Sequence, residues 1–481
     1  MFEPTGPTDV RRVTAPLPPP PVVETRLAGR FEFEGGFPTA DSLDRIFDQL
    51  DFQRACQVFL RHMMAAAIFG FVQAFRRDVN LGPTDVAISH ADASVLALTG
   101  NSETVYGVAV PDTKSGPVVV EVPPRVLGFL NDQWMRPMGD MGIAGPDQGA
   151  GGRYLLVPPG YDGELPTEGF VQTIRLSTFR QWLVLRAFMG EDGDPAPAIA
   201  TLEQFKIYPL AQADNPPTSQ HLNLGDKTWD TIHPTDIRYF EDLAEIVDYE
   251  PLDAISREEA AELAQIGIEK GKPFEPDDRM RAILDEAAQV ASFMAFAICN
   301  APRDAWQKYP DRQWHVPPPG YPSFETDTGV PMIDDMVRMA WFATGRASAM
   351  SGQKPGVGSA YTWAYRDSDG DWIDPKRTYK LRLQGPIPAK DFWSVVVYDL
   401  WTRSMLANGQ AFPSLNSYSP NVETNPDGGV DIYIGPEPPE GKEGNWIRTL
   451  PDIGWFPMIR LYGPLEPWID KTWKPDDLTS V

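Results

Sequence analysis

Residues 378–384 read Thr-Tyr-Lys-Leu-Arg-Leu-Gln, and residues 392–400 read Phe-Trp-Ser-Val-Val-Val-Tyr-Asp-Leu. In the first stretch Tyr379, Leu381 and Leu383 alternate with Lys380, Arg382 and Gln384, the period of a strand with one buried and one wet face. The second is continuously apolar, as a central strand is. Gly-Val-Asp-Ile-Tyr-Ile-Gly at 429–435 alternates again through Val430, Ile432 and Ile434, and Trp-Phe-Pro-Met-Ile-Arg-Leu-Tyr-Gly at 455–463 ends the series. Asn-Pro-Asp-Gly-Gly at Asn425 supplies hairpin turn chemistry. Together these predict a C-terminal antiparallel β-sandwich, jelly-roll-like, over 378–481.

Working outward, 85–220 has the same texture. Short apolar runs at Val118, Tyr154 and Phe170 are separated by Ser-Gly-Pro, Pro-Pro-Gly-Tyr-Asp-Gly and Leu-Pro-Thr-Glu-Gly, which predicts a second sandwich. The glycine-rich tract 139–152 reads as a surface loop or a lid. Between the two β regions the period changes. Ile237, Phe240, Leu243 and Val247 share a helical face behind Thr235 or Asp236 as cap. Ser256 and Glu259 form a capping-box pattern before Leu263 and Ile266, and Asp277 precedes an amphipathic stretch ending near Cys299. Upstream, Leu43, Ile46, Phe47 and Leu50, then Val58, Phe59 and Met63, predict a buried helix opening at Asp41. The expected class is α+β, mainly β: two antiparallel sandwiches with a helical segment between them. The division is a proline-rich arm (1–40, with the Pro18–Pro21 run), an N-terminal helix plus sandwich (41–230), a helical segment (231–310), a connecting region (311–377) and the C-terminal sandwich (378–481).

Composition narrows the classes. The 481 residues include 49 prolines, about twice ordinary usage, which belong in turns and strand edges. A net charge of −25 argues against a nucleic-acid partner, because phosphate binding needs a concentrated basic surface. Cys56 and Cys299 alone make neither a disulfide framework nor a zinc motif and read as core fillers. The first residues lack a basic-then-apolar leader, and the apolar run Met63–Val72 is too short to span a bilayer, so a cytoplasmic, membrane-free protein is expected, with an exported protein whose leader has been removed as the alternative.

Chemistry is harder to find. GxSxG, HExxH, Walker A and strand-anchored GxGxxG motifs are absent, and Gly-Val-Gly-Ser-Ala-Tyr at Gly356 has the wrong spacing for a nucleophile elbow. His62, His90, His221, His233 and His315 are scattered, so no metal and no cofactor are expected. Asp367, Asp369, Asp371 and Asp374 lie in a turn that departs from the EF-hand order; it reads as a solvated hairpin, with calcium as the alternative. Trp393, Tyr398 and Trp446, among Arg403, Asn416 and Arg460, suit a small ligand with flat apolar faces and a polar rim, while core filling explains the other C-terminal aromatics.

Several motifs resemble a known pair of modules. Asn101-Ser-Glu-Thr-Val-Tyr106, Ser115-Gly-Pro-Val118 and Arg153-Tyr-Leu-Leu-Val-Pro-Pro-Gly-Tyr-Asp-Gly163 resemble domain of unknown function 1254. Phe392-Trp-Ser-Val395, Tyr398-Asp399, Thr402-Arg403-Ser404, Pro413-Ser-Leu-Asn-Ser417, Asn445-Trp446 and Arg460-Leu-Tyr-Gly-Pro-Leu465 resemble its companion, domain of unknown function 1214. The resemblance implies paired jelly-roll-like modules suspected of holding a small ligand, and it brings no reaction with it. Glu103 stands where the first module more often has aspartate. Two readings follow. In the first, a hydrolase or lyase acts on a small organic substrate through Glu103, Tyr106 and Arg153 with Asp399 and Arg403. In the second, a non-catalytic protein binds a sugar or apolar ring through Asn101, Trp393, Tyr398, Asn416, Trp446 and Arg460. A carboxylate sharing a pocket with Arg403 and Tyr106 would favour the enzyme. A homo-oligomer, most simply a dimer, is expected from exposed β edges and the tryptophan-rich C-terminus.

Overall fold

The structure, a computed structural model, describes residues 19–481 apart from 91, 191–192, 226, 304–306, 319–320, 322, 348–349, 351–353 and 411. Most of the expected proline arm, through Pro18, lies outside the described residues. The rest of it is not an arm. Strands β1 (Val22–Thr25), β2 (Gly29–Glu34) and β3 (Phe37–Pro38) form a small antiparallel sheet, turned at Gly29 with φ +76° and braced by Ala28 N donating to Thr25 Oγ1 at 2.9 Å.

Thr39 then caps helix α1 (Ala40–Ala74), accepting from Ser42 N. Beyond residue 54 the helix is buried almost all round, which marks a core helix rather than an amphipathic one. A Cβ on Gly70 would stand 2.1 Å from Thr231 O, so backbone lies directly on it. The helix runs past the expected stretch and unwinds through a π-helical turn at Phe75–Val79.

The first β region contains β4 (Val86–Ser89), β5 (Thr104–Ala109), β6 (Val118–Val122), β7 (Leu127–Asp132), β8 (Pro137–Gly142) and β9 (Gly152–Val157). It continues with β10 (Gln172–Arg175), β11 (Gln181–Phe188), helix α2 (Ala196–Leu202), β12 (Lys206–Pro209) and β13 (His221–Asn223). They make a four-stranded sheet, β10-β9-β6-β12, and a six-stranded one, β13-β4-β5-β11-β7-β8. Both sheets feed one buried cluster through Val105, Val120, Leu156 and Leu183. The glycine-rich tract is a fixed turn: Asp147 accepts from Gly142 N, Gly151 N and Tyr154 Oη.

Helices α3 (Arg238–Tyr249), α4 (Arg257–Ala264), α5 (Asp278–Asn300) and α6 (Ile333–Phe342) follow. The Ser256–Glu259 capping box and the Asp277 cap form as expected. On α3, by contrast, the cap position is Ile237, whose N–H is taken by Asp285 from α5.

The second β region begins at Ser359, not at 378. It comprises β14 (Ser359–Trp363), β15 (Tyr379–Leu383), β16 (Ala389–Asp399), β17 (Ser414–Asn416), β18 (Val430–Gly435), β19 (Trp446–Arg448), β20 (Trp455–Pro464), helix α7 (Glu466–Ile469) and β21 (Thr479–Ser480). Its sheets, β14-β20-β16-β17 and β19-β18-β15-β21, share a second cluster that takes in Trp393, Trp455, Trp468 and Trp473. Those indoles are covered within the chain. Pairing is antiparallel except at the edges, where β10, β13 and β19 lie parallel to their neighbours.

The remaining faces meet in the middle. Val108, Phe129, Trp182 and Val184 from the six-stranded sheet, Val396, Tyr398, Phe456 and Met458 from β16 and β20, and the helices around α1 form one continuous core. The fold is thus mixed α+β, with helices joining two β regions. Among the described residues two helices, α1 with its π-turn and α5, are long and apolar enough to cross a membrane. The apolar stretch of α1 is buried inside the protein, while α5 leaves Phe293 and Met294 exposed.

Candidate functional site

Strand alternation sets the site. On β11, Leu183, Leu185 and Ala187 enter the first sheet-to-sheet core, so Trp182, Val184 and Arg186 point the other way, toward the helices. On β20, Trp455, Ile459 and Leu461 enter the second sheet-to-sheet core, leaving Phe456, Met458, Arg460 and Tyr462 on the helical side. Where these two faces approach across α1 and α6 there is a cavity of about 150 Å³. Its wall is largely apolar and includes Phe71, Phe129, Trp182, Trp229, Phe342 and Met458. A methyl on Gly345 would lie 2.3 Å from the Phe129 ring, so this stretch of the wall is closed by backbone.

The polar part of the wall is small and basic. Arg186 is 4 % exposed and Arg460 3 % exposed. Arg460 Nη2 donates to Thr99 O at 2.6 Å, Gly100 O at 3.2 Å and Tyr398 Oη at 2.6 Å. Among the described residues Arg186 has one long hydrogen bond, Nη1 to Tyr361 Oη at 3.4 Å. Tyr361 stands opposite Arg460 in the β14–β20 ladder, and its hydroxyl is 2.6 Å from Ser359 Oγ. Burial pushes the Tyr361 phenol up, but Arg186 and Arg460 outweigh it and hold the phenol below its usual range.

The sequence candidates divide. Asn101, Tyr106 and Arg460 line the cavity. Asn101 donates to Thr104 Oγ1 and to Tyr462 Oη, and Tyr398 Oη donates to Gly100 O at 2.6 Å, so Tyr398 supports the wall from behind. Glu103, 1 % exposed, is not a wall residue; it accepts from Ser102 Oγ at 2.5 Å and Asn416 Nδ2 at 3.2 Å, joining the two β regions. The other candidates are elsewhere. Arg153 is exposed on β9, over the Phe170 ring. Asp399 closes its own turn by accepting from Trp401 N and Thr402 N. Arg403 donates to Trp341 O and Trp401 O and lies 4.2 Å from the Trp341 ring. Trp393 is core, and Trp446 donates to Gly435 O. The catalytic set Glu103, Tyr106, Arg153, Asp399 and Arg403 therefore does not converge on this cavity; only Tyr106 reaches it.

Arg186 and Tyr361 were missed. A single charge inside Gln-Trp-Leu-Val-Leu-Arg-Ala-Phe, an otherwise apolar strand, was the signal for Arg186. Among the described residues no group of three or more His, Cys, Asp or Glu side chains is placed to hold a metal ion. The Asp367 carboxylate is occupied by its own hairpin, accepting from Asp369 N and Asp371 N. Both cysteines are buried, and burial pushes the Cys56 thiol up to about 11.

Comparison with known proteins agrees with this architecture. No curated protein matches the chain. The VPA0106 protein from Vibrio parahaemolyticus, known from a crystal structure, is similar at 17 % identity and a TM-score of 0.55, over 90 % of this chain and all of that one. That likeness concerns the fold alone. A putative uncharacterized protein from Burkholderia cenocepacia is 14 % identical over 91 % of this chain and 96 % of its own, with a TM-score of 0.42. Two families described as proteins of unknown function match, DUF1254 over residues 84–209 and DUF1214 over residues 358–466. The chain is thus built on the tandem of these two domains, DUF1254 first and DUF1214 second.

Proposed function

We propose that the protein binds a small, largely apolar molecule in the cavity where the two β regions meet. The observation that carries this reading is the wall itself: six large apolar side chains from both β regions and the helices packed on them line about 150 Å³. An apolar cavity of that volume is known to accept a molecule the size of benzene. The Trp393 and Trp446 positions do not contribute to it, so the apolar-ring form of the binding reading is favoured over a sugar. We also read each pair of sheets as a jelly-roll-like sandwich domain, on the strength of their shared cores. A homo-oligomer joins the proposal, supported by exposed Leu27, Phe37, Leu43 and Phe47 along the first hairpin and α1; light scattering at the mass of one chain would remove it.

The test is thermal melting with toluene, indole and similar one-ring compounds, alongside mass spectrometry of the purified protein for a retained molecule. A rise in melting temperature that Ala97→Phe abolishes, by filling the cavity from its half-buried rim, supports the reading. No rise with any compound and no retained molecule would remove it.

A hydrolase or lyase using this cavity is the second reading. Its specific support is Tyr361, a phenol held below its usual range between Ser359 Oγ and Arg186, as a general base would be. Chemical conversion of a bound compound that stops in Tyr361→Phe would promote it.

A further inference from the structure

Ionised side chains are rarely buried without a counter-charge, because the desolvation penalty is several kcal/mol per ion. Buried Arg338 pairs with Asp335 at 2.7 Å and Arg180 reaches Glu245 at 3.4 Å, while Arg403, which like Arg346 has no carboxylate within 4 Å among the described residues, is held instead by the Trp341 and Trp401 carbonyls and the Trp341 ring. Arg186 and Arg460 have no carboxylate within 4 Å among the described residues, and their titratable neighbours are tyrosines. In a chain of net charge −25, the cavity wall is a local exception in sign.

A second observation is independent of charge. Five buried polar atoms on wall residues lack a hydrogen-bond partner among the described residues: Arg186 Nε, Arg460 Nε, Trp182 Nε1, Trp229 Nε1 and Ser89 Oγ. Four are obligate donors, and the fifth, a hydroxyl, also donates. A buried donor left unpaired is destabilising, so a cluster of them on one cavity wall points to an acceptor that belongs in the cavity.

We propose that the ligand of this cavity is an anion, a carboxylate on a one-ring or short branched apolar body, with its oxygens on the Arg186 and Arg460 guanidiniums. The inference rests on the cavity-binding reading and adds the head group to it. The body lies against Phe71, Phe129, Trp182 and Phe342, and the indole N–H groups are further donors toward the oxygens. Each β region supplies one arginine, Arg186 from the DUF1254 span and Arg460 from the DUF1214 span, so binding couples the two.

Benzoate, phenylacetate and hexanoate are compared with benzamide, benzyl alcohol and toluene by calorimetry and thermal melting. The expected result is that carboxylates bind at least about tenfold more tightly than neutral molecules of the same bulk. Arg186→Met should remove that preference while toluene binding persists. Arg460→Met is expected to fold less well, since Arg460 also holds the 99–100 backbone; Arg186→Lys, which keeps the charge, is therefore the second variant and should retain part of the preference. Equal binding of neutral and anionic compounds overturns the anion inference and leaves the cavity reading standing. Binding of neither class overturns both.

Discussion

Arg403 and Arg186 are each 4 % exposed, yet the protein treats them differently. Arg403 is held by fixed groups on two of its three nitrogens: Nε donates to Trp341 O at 2.8 Å, Nη1 meets Trp401 O, and the guanidinium lies on the Trp341 ring, leaving Nη2 without a partner among the described residues. Arg186 faces a cavity, with a single 3.4 Å contact and an unpaired Nε. The first arginine holds a turn at the meeting of α6 and β16, even carrying φ +56° to do so. The second contributes little that the folded chain uses. Equal burial can therefore mean opposite things, and the partners decide which.

The comparison breaks or holds most visibly in stability. Arg403→Met leaves the buried Trp341 carbonyl and the partly buried Trp401 carbonyl without this donor and should cost about 2 kcal/mol in denaturant unfolding. Arg186→Met strands nothing comparable and relieves an unpaired buried charge, so the ligand-free protein should be unchanged or more stable by about 1 kcal/mol. The opposite signs are the point. Similar losses in both variants would make Arg186 a structural residue and collapse the distinction.

A smaller effect sharpens the Arg403 side. His233 is packed between Phe59 and Tyr239, and burial, then the Arg403 charge, holds its pKa down at about 4. The unfolded chain takes up that proton first, so this contribution to stability is full above about pH 6.5 and is lost as pH falls toward 4. By pH 5 His233 alone should cost about 2 kcal/mol. Glu250, raised by burial to about 7, works oppositely, losing its contribution as pH rises through that value. The informative measurement is therefore the difference between wild type and His233→Phe across pH 4–6.5, the span between the folded and unfolded pKa values. In Arg403→Met the histidine's acid loss should shrink; an unchanged loss would mean that burial alone sets it.

How much of this was legible follows the same logic. The strands over Tyr379–Leu383 and Ala389–Asp399 were readable because alternation and apolar runs are local consequences of facing a core. The Ser256 capping box was readable for the same reason. The β1–β3 hairpin was hidden behind prolines that suggested an extended arm. Among the cavity-lining residues, Arg460 and Tyr106 were singled out through family motifs, whereas Arg186 needed knowledge that both faces of β11 are buried. Glu103 and Asn416, read from the sequence as a candidate acid or base and a candidate ligand contact, meet at 3.2 Å. Nothing in their spacing revealed that they join the two β regions behind the cavity wall, because such pairing depends on docking, which sequence periodicity does not encode.

The smallest expected effect probes the cavity side directly, one phenol among fifteen tyrosines. Burial holds the Tyr398 and Tyr462 phenols above the usual range, whereas Tyr361 is held below it by Arg186 and Arg460 despite being buried itself. A phenolate absorbance titration should therefore show one tyrosine ionising ahead of the rest, and Tyr361→Phe should delete that early step. Arg186→Met removes one of the two cations responsible and should move the step upward. Saturation with benzoate should act in the same direction, because a carboxylate on the two guanidiniums neutralises the charge that favours the phenolate. The two manoeuvres differ in one respect: benzoate should have little left to shift in Arg186→Met. An early step that ignores both the substitution and the carboxylate would mean that Arg186 does not face Tyr361 as a free charge, and its contrast with Arg403 would then have no electrostatic basis.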